Sequence, residues 1–183
     1  MNCEALKYRG RGPGFDARIV LVGQAPGKGK YEPRLACTGA FMQRLVSVSG
    51  LNKWTLYRIF ERHNLLDKYP GGSSSGDKFP KEEAVAAAIE MEEYLGGKSV
   101  VFAGCRVPRA FGLEVFEFFL WADAVTDNTG ERFRYVTMPH PSGVSHWWNN
   151  VGHRQVAKDF LQSLVKLYHD QQEELRCQQS QAT

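Results

Sequence analysis

The chain has 183 residues, 43% of them apolar, and its 23 Lys and Arg exceed its 20 Asp and Glu by three. That length suffices for one domain with a substantial core, and the near-neutral balance supplies no polybasic tail that would by itself demand a nucleic-acid partner. Cys3, Cys37, Cys105 and Cys177 form no C-x-x-C pair, so zinc, iron–sulfur or other cofactor binding is not expected. With no signal peptide and no apolar run near the roughly 18 residues of a membrane helix, an intracellular protein with free thiols is expected, cytoplasmic in a bacterium or nuclear in a eukaryote, without a membrane partner.

Residues 1–17 are polar and glycine-rich and read as a flexible arm. Arg18-Ile19-Val20-Leu21-Val22, ending at Gly23, has the β-branched continuity of a buried parallel strand. The loop Gly23-Gln24-Ala25-Pro26-Gly27-Lys28-Gly29-Lys30 leads to a helix that Thr38 can cap and Gly50 can end, with Phe41, Leu45 and Val48 on one face. Trp54 to Phe60 reads as a second strand running into Glu61-Arg62-His63-Asn64-Leu65-Leu66, and Lys68 to Phe79, rich in Gly and Ser, as an exposed loop. Pro80 opens a helix that reaches Leu95 and stops at Gly96-Gly97. Ser99 to Ala103 is expected as a third strand ending at Gly104, with a short helix near Pro108 to Phe111 and a fourth strand from Phe133 to Thr137. The last helix should run from about Asn150 to His169, its apolar side formed by Val156, Phe160, Leu164 and Val165, before a frayed tail over 170–183.

Alternating strands and helices make this an α/β layered domain over residues 18–169 with a mostly parallel sheet. Ligands of such sheets bind beyond the carboxyl ends of the strands. Three loops converge there: Gly23–Lys30, Glu61–Leu66 and Pro139–Asn149. The last carries the most informative segment, Met138-Pro139-His140-Pro141-Ser142-Gly143, followed by Ser145-His146-Trp147-Trp148. The two prolines exclude a helix interior and the continuation of a central strand. They hold an imidazole at the sheet edge beside a hydroxyl, a glycine and two large aromatics. The first loop is neither a Walker loop nor a dinucleotide fingerprint, because Gly27-Lys28 is followed by Gly29 and the G-x-G-x-x-G spacing is missing.

In chain order, Gly23-Gln24-Ala25-Pro26-Gly27, Arg62-His63-Asn64-Leu65 and His140-Pro141-Ser142-Gly143 resemble the three motifs of the uracil-DNA glycosylase superfamily, over roughly Arg18 to Tyr168. The first is closest to the G-E-A-P-G form of the iron–sulfur branch, whose cysteines this chain lacks. The resemblance implies a three-layer αβα sandwich with a mostly parallel four-stranded central sheet. It implies a monomeric, metal-independent hydrolase that everts a damaged or modified pyrimidine from single- or double-stranded DNA and cleaves its N-glycosidic bond. On that template Asn64 reads the base edge through its amide, unless it is only a cap or turn residue. His140 hydrogen-bonds the departing base, unless it is only satisfied at a loop corner. Gly23, Ala25, Gly27 and Tyr31 complete the base pocket. Lys28, Ser142, Gly143, Ser145 and Trp147 face the DNA, with one of Trp147 and Trp148 as wedge and the other in the core.

Two departures from the family bear on chemistry. Gln24 stands at the Glu of the G-E-A-P-G form and Ala25 at the Asp or Asn of other branches. An amide can hold water but cannot take its proton. Either leaving-group stabilisation suffices, or an acid such as Glu32 or Asp67 enters, or activity is lost and a DNA-binding module remains. Gly27 replaces the tyrosine that excludes C5 substituents in the uracil-selective branch, which admits thymine or a hypermodified base of viral DNA, in which case the protein would serve antiviral defence. Tyr31 and Phe41 are the candidate stacking aromatics, Phe41 with a competing core role.

Overall fold

The computed structural model describes residues 18–28, 36–73, 76–115, 117–141 and 145–181. Among them the elements run β1 (Ile19–Gly23), α1 (Ala40–Ser49), α2 (Lys53–Ile59), β2 (Phe60–Asn64), β3 (Gly72–Ser73), β4 (Gly76–Asp77), α3 (Lys81–Leu95), β5 (Ser99–Ala103), α4 (Arg106–Ala110), β6 (Trp121–Val125), β7 (Arg132–Met138), a 3-10 turn (His146–Asn149) and α5 (Val151–Gln181). The main sheet has five strands in the order β2-β1-β5-β7-β6, against the four expected. All neighbours are parallel except β6, which lies antiparallel on β7.

The fully buried strands β1 and β5 are IVLVG and SVVFA, apolar on both faces because helices cover both. Val20, Val22, Val100 and Phe102 pack against Ala84, Ala88, Met91 and Leu95 of α3. Ile19, Leu21, Val101 and Val136 pack against Met42 and Leu45 of α1 and Phe160, Leu161 and Leu164 of α5. Helices thus lie on both faces of an α/β sheet, an arrangement compatible with three layers. No helix of the described residues is long and apolar enough to cross a membrane.

Several elements differ from the sequence expectation for identifiable reasons. Trp54 to Ile59 is helix α2, because Asn52 Oδ1 accepts from Thr55 N at 2.8 Å and Leu56 and Ile59, three apart, are its buried pair. The strand begins only at Phe60. On α1 the buried face is Met42, Leu45 and Ser49, and Gly39 stands at the N-cap in place of Thr38. Ser49 tolerates the core because its Oγ donates to Leu45 O at 2.7 Å. On α5 the apolar side is Ala157, Phe160, Leu161 and Leu164, leaving Val156 half in solvent, and the helix continues past His169 to Gln181 where a frayed tail was expected. The 69–80 segment is more than an open loop: β3 and β4 form a small hairpin, Tyr69 Oη donates to Asp77 Oδ1 at 3.1 Å, and Lys78 N donates to Gly71 O at 2.9 Å.

Candidate functional site

The two central strands of the parallel set each run out into glycine, and the flanking loops lean over those glycines. Gly23 ends β1 in register with Asn64 at the end of β2. A Cβ on Gly23 would stand 2.7 Å from Cys37 Sγ and 3.1 Å from Asn64 Oδ1, so only glycine fits without a shift. Gly104 follows β5 at φ +86, and a Cβ there would stand 3.1 Å from His140 Cβ. Asn64 and His140 therefore each reach one strand inward from opposite sides of the sheet end. Their backbones are three strand spacings apart, about 14 Å at 4.8 Å each, while the glycines beneath their side chains belong to neighbouring strands about 5 Å apart.

Each of these side chains has a cause for its position. Leu65 N donates to Gly23 O at 2.8 Å and Leu66 N to Gln24 O at 2.9 Å, which zips the loops after β1 and β2 together. Along β2 alternate side chains take opposite faces. Arg62 donates to Ala36 O at 3.2 Å and lies over the Tyr57 ring at 4.2 Å, while His63 Nε2 meets Glu61 Oε1 at 3.4 Å and its ring lies 5.2 Å from Tyr94. Arg62 and His63 are thus structural members of the motif, and Asn64 is the one delivered to the sheet end. His140 follows two buried residues, Met138 and Pro139. The indole Nε1 of buried Trp148 donates to His140 O at 2.9 Å, and the Phe41 ring meets the imidazole edge-on, centroids 6.0 Å apart at 86°. Phe41 thus borders the candidate site, although its helical position alone suggested a core role.

Burial pushes the His140 imidazole below its ordinary value; Asp77 opposes this and Arg106 adds to it. That direction favours the neutral form of the ring. Cys37, in left-handed backbone at φ 52, has its thiol pushed up to about 12 by burial, against small opposing effects from Arg62 and Gly23. It is a wall of the site and no nucleophile. Gln24 donates its Nε2 to Lys78 O at 3.0 Å, which ties it to the 69–80 segment. One N–H of that amide is thus used, and its Oε1 remains an acceptor through which Gln24 can hold a water.

The remaining expected site residues divide clearly. Ala25 is half-buried and packs on the core cluster under α3, while Gly27 and Lys28 are exposed. Ser145 is half-buried at the start of the 3-10 turn, with no capping hydrogen bond from its side chain. Trp147 is seated in an aromatic cluster: it stacks on His153 at 4.5 Å and 13°, with Phe119 at 5.4 Å and Phe118 at 6.0 Å. A wedge would have to leave that cluster. Trp148 is core, 1% exposed. Asp67 is exposed. Tyr31, Glu32, Ser142 and Gly143 lie outside the described residues.

Cys37, Gly104, Asp77 and Arg106 border the site without having been singled out from sequence. Only Gly104, ending an apolar strand, left a signal. Among the described residues no group of three or more His, Cys, Asp or Glu is arranged to hold a metal ion. No protein-family model matches the chain, and a search of the curated proteins returns no match.

Proposed function

We propose that the chain is a monofunctional DNA glycosylase of the uracil-DNA glycosylase type, acting on uracil or a modified pyrimidine everted from DNA and leaving an abasic site. The observation that carries this is the placement of a carboxamide beside Gly23 and an imidazole beside Gly104, on neighbouring strands at the end of a parallel sheet where ligands of such folds bind. A carboxamide presents a donor and an acceptor side by side, which matches the edge of a pyrimidine. The imidazole N–H hydrogen-bonds the base oxygen as negative charge gathers there. In the reaction the C1′–N1 bond breaks with its electron pair going to the base, and a water oxygen bonds C1′ and loses a proton to solvent. Gln24 orients that water through Oε1 and does not deprotonate it. Phe41 beside the imidazole supplies an apolar wall.

A second substrate within the same chemistry is a pyrimidine enlarged at C5, because exposed Gly27, itself without a side chain, stands at the motif position of the tyrosine that excludes such groups in the uracil-selective branch. Both are tested by incubating the protein with single- and double-stranded DNA carrying uracil or C5-substituted pyrimidines and measuring free base by mass spectrometry. Release is expected, reduced at least about a hundredfold in His140→Ala, since one such donor contributes a factor of 10²–10³. In Asn64→Asp the base preference should change while the thermal midpoint holds. Binding with no release on any substrate would leave a DNA-binding module instead.

A further inference from the structure

A cleft of about 830 Å³ opens beside the candidate site, between the 69–80 segment, the start of α3 and helix α4. Its rim carries four cations, Lys78, Lys81, Arg106 and Arg109, against one acid, Asp77. Its floor is apolar, with Phe79 and Val85 the largest side chains. The chain as a whole is only three charges positive, so this local excess is a property of the cleft. The cleft and the candidate site share a wall: Gln24 Nε2 holds Lys78 O, and Arg106 Nη1 donates to Asp77 O at 3.0 Å.

We propose that this cleft binds a run of single-stranded nucleic acid continuous with the everted nucleotide, phosphates on Lys78, Lys81, Arg106 and Arg109, and a base face on Phe79. The identity of the strand rests on the glycosylase reading; the affinity for a polyanion with aromatic bases rests on the cleft alone. Cations around an apolar floor are the combination that tracks a single strand, the charges following the backbone and the aromatic accepting any base. A duplex keeps its base faces stacked inside and cannot present one to Phe79. An acidic peptide would meet the cations and leave the floor unfilled. The consequence is a preference for single-stranded or locally opened DNA.

The test uses the full chain and Lys81→Ala/Arg109→Ala, two exposed side chains outside the candidate site. Binding of a labelled thymidine homopolymer of about 12 nucleotides, inside the usual 4–16 nucleotide site sizes, is followed by anisotropy against salt. Each lost phosphate contact lowers the slope of log K against log salt by about 0.7, so the double variant should be shallower by about 1.4 and bind at least tenfold more weakly near 0.1 M salt. Affinity and slope equal to the parent would overturn the proposal. So would equal affinity of the parent for polyglutamate of the same charge, or for the duplex form. Base release separates the two readings. If the parent releases no base from any DNA yet the slope falls as stated, the cleft stands and the glycosylase reading fails. If the parent releases base and the variant binds DNA unchanged, the reverse holds.

Discussion

Substituting Gly104 by alanine tests the site geometry most directly, because Gly112 provides a matched control. Gly104 sits at φ +86 and Gly112 at φ +69, so alanine meets left-handed strain of about 1–2 kcal/mol at each. The surroundings differ. A Cβ at Gly112 meets nothing within 4 Å, whereas one at Gly104 stands 3.1 Å from His140 Cβ and 3.5 Å from its Cδ2. Ordinary carbon contacts lie at about 3.5–4.0 Å. The His140 ring must move by a few tenths of an ångström, against Trp148 holding its carbonyl and Phe41 at its edge. Overpacking of this kind costs about 1–3 kcal/mol more. Gly112→Ala should lower the thermal midpoint by about 2–8 °C, and Gly104→Ala by a further 2–12 °C, at 2–4 °C per kcal/mol for a domain of this size. The imidazole resonances of His140 should shift only in Gly104→Ala. On the proposed reaction, base release should fall about tenfold there and stay unchanged in Gly112→Ala, since a displacement near 1 Å costs on the order of a hundredfold. Equal midpoints for the two variants with an undisturbed His140 spectrum would refute the packing of imidazole on glycine.

Acid should destabilise the fold in two steps. Burial holds His140 below its ordinary value near 6.5, so the unfolded chain takes up that proton first and stability falls as pH drops below about 6.5. Nuclear magnetic resonance should place the His140 midpoint below that value, and a midpoint at or above it contradicts the buried, neutral ring. Burial alone would raise the Glu61 carboxyl, but the nearby His63 imidazole, its Nε2 3.4 Å away, together with Tyr94 and the charge of Arg18, outweighs it and holds the group at about 2. The stability it supplies is complete above about 4.5 and is lost as pH falls towards 2. Urea titrations of Glu61→Gln should lack this lower step, and its persistence would assign it elsewhere. Cys37, with its thiol near 12, should resist a thiol reagent at pH 8 until the chain is unfolded, while exposed Cys177 reacts in the native state. Peptide mass spectrometry showing both modified at one rate would contradict the closed wall beside Gly23.

The strands β1 and β5 were legible because parallel strands buried on both faces need nearly unbroken apolar, β-branched runs, and few other elements produce them. Strand β6 left no such trace. Trp121–Val125 is an edge strand whose side chains are partly in solvent, so its composition, with Asp123 and two alanines, carries no hydrophobic signature. Lys53–Ile59 misled in the opposite direction: β-branched and aromatic residues suggested a strand, and the Asn52 cap with two buried side chains made a helix. On α1 the misplaced face traces to Ser49, whose hydroxyl returns its hydrogen bond to the helix and so passes as a core residue. The candidate site was legible where it depended on backbone restrictions, as in Pro139-His140-Pro141 and the strand-ending Gly23. It was illegible where side chains hold distant carbonyl oxygens. Gln24 to Lys78 O and Arg106 to Asp77 O depend on where a polar loop folds back, and carbonyls carry no sequence signal.

Those carbonyl contacts decide how the proposed chemistry is divided. The hydrogen bond from Gln24 Nε2 to Lys78 O favours one orientation of the side chain, and an amide takes no proton. On the proposed reaction its role is limited to holding a water, which contributes orientation and no driving force. On the proposed reaction the energetic work falls on the other side of the base, on the His140 imidazole. Burial makes that donor more effective, because a less solvated site screens the developing charge less. It also keeps the ring from arriving protonated. The same 69–80 segment that restrains Gln24 supplies Lys78 and Phe79 to the neighbouring cleft. A strand seated there would lie against the segment that holds Gln24, so on the proposed reading strand binding and water orientation would share one piece of backbone.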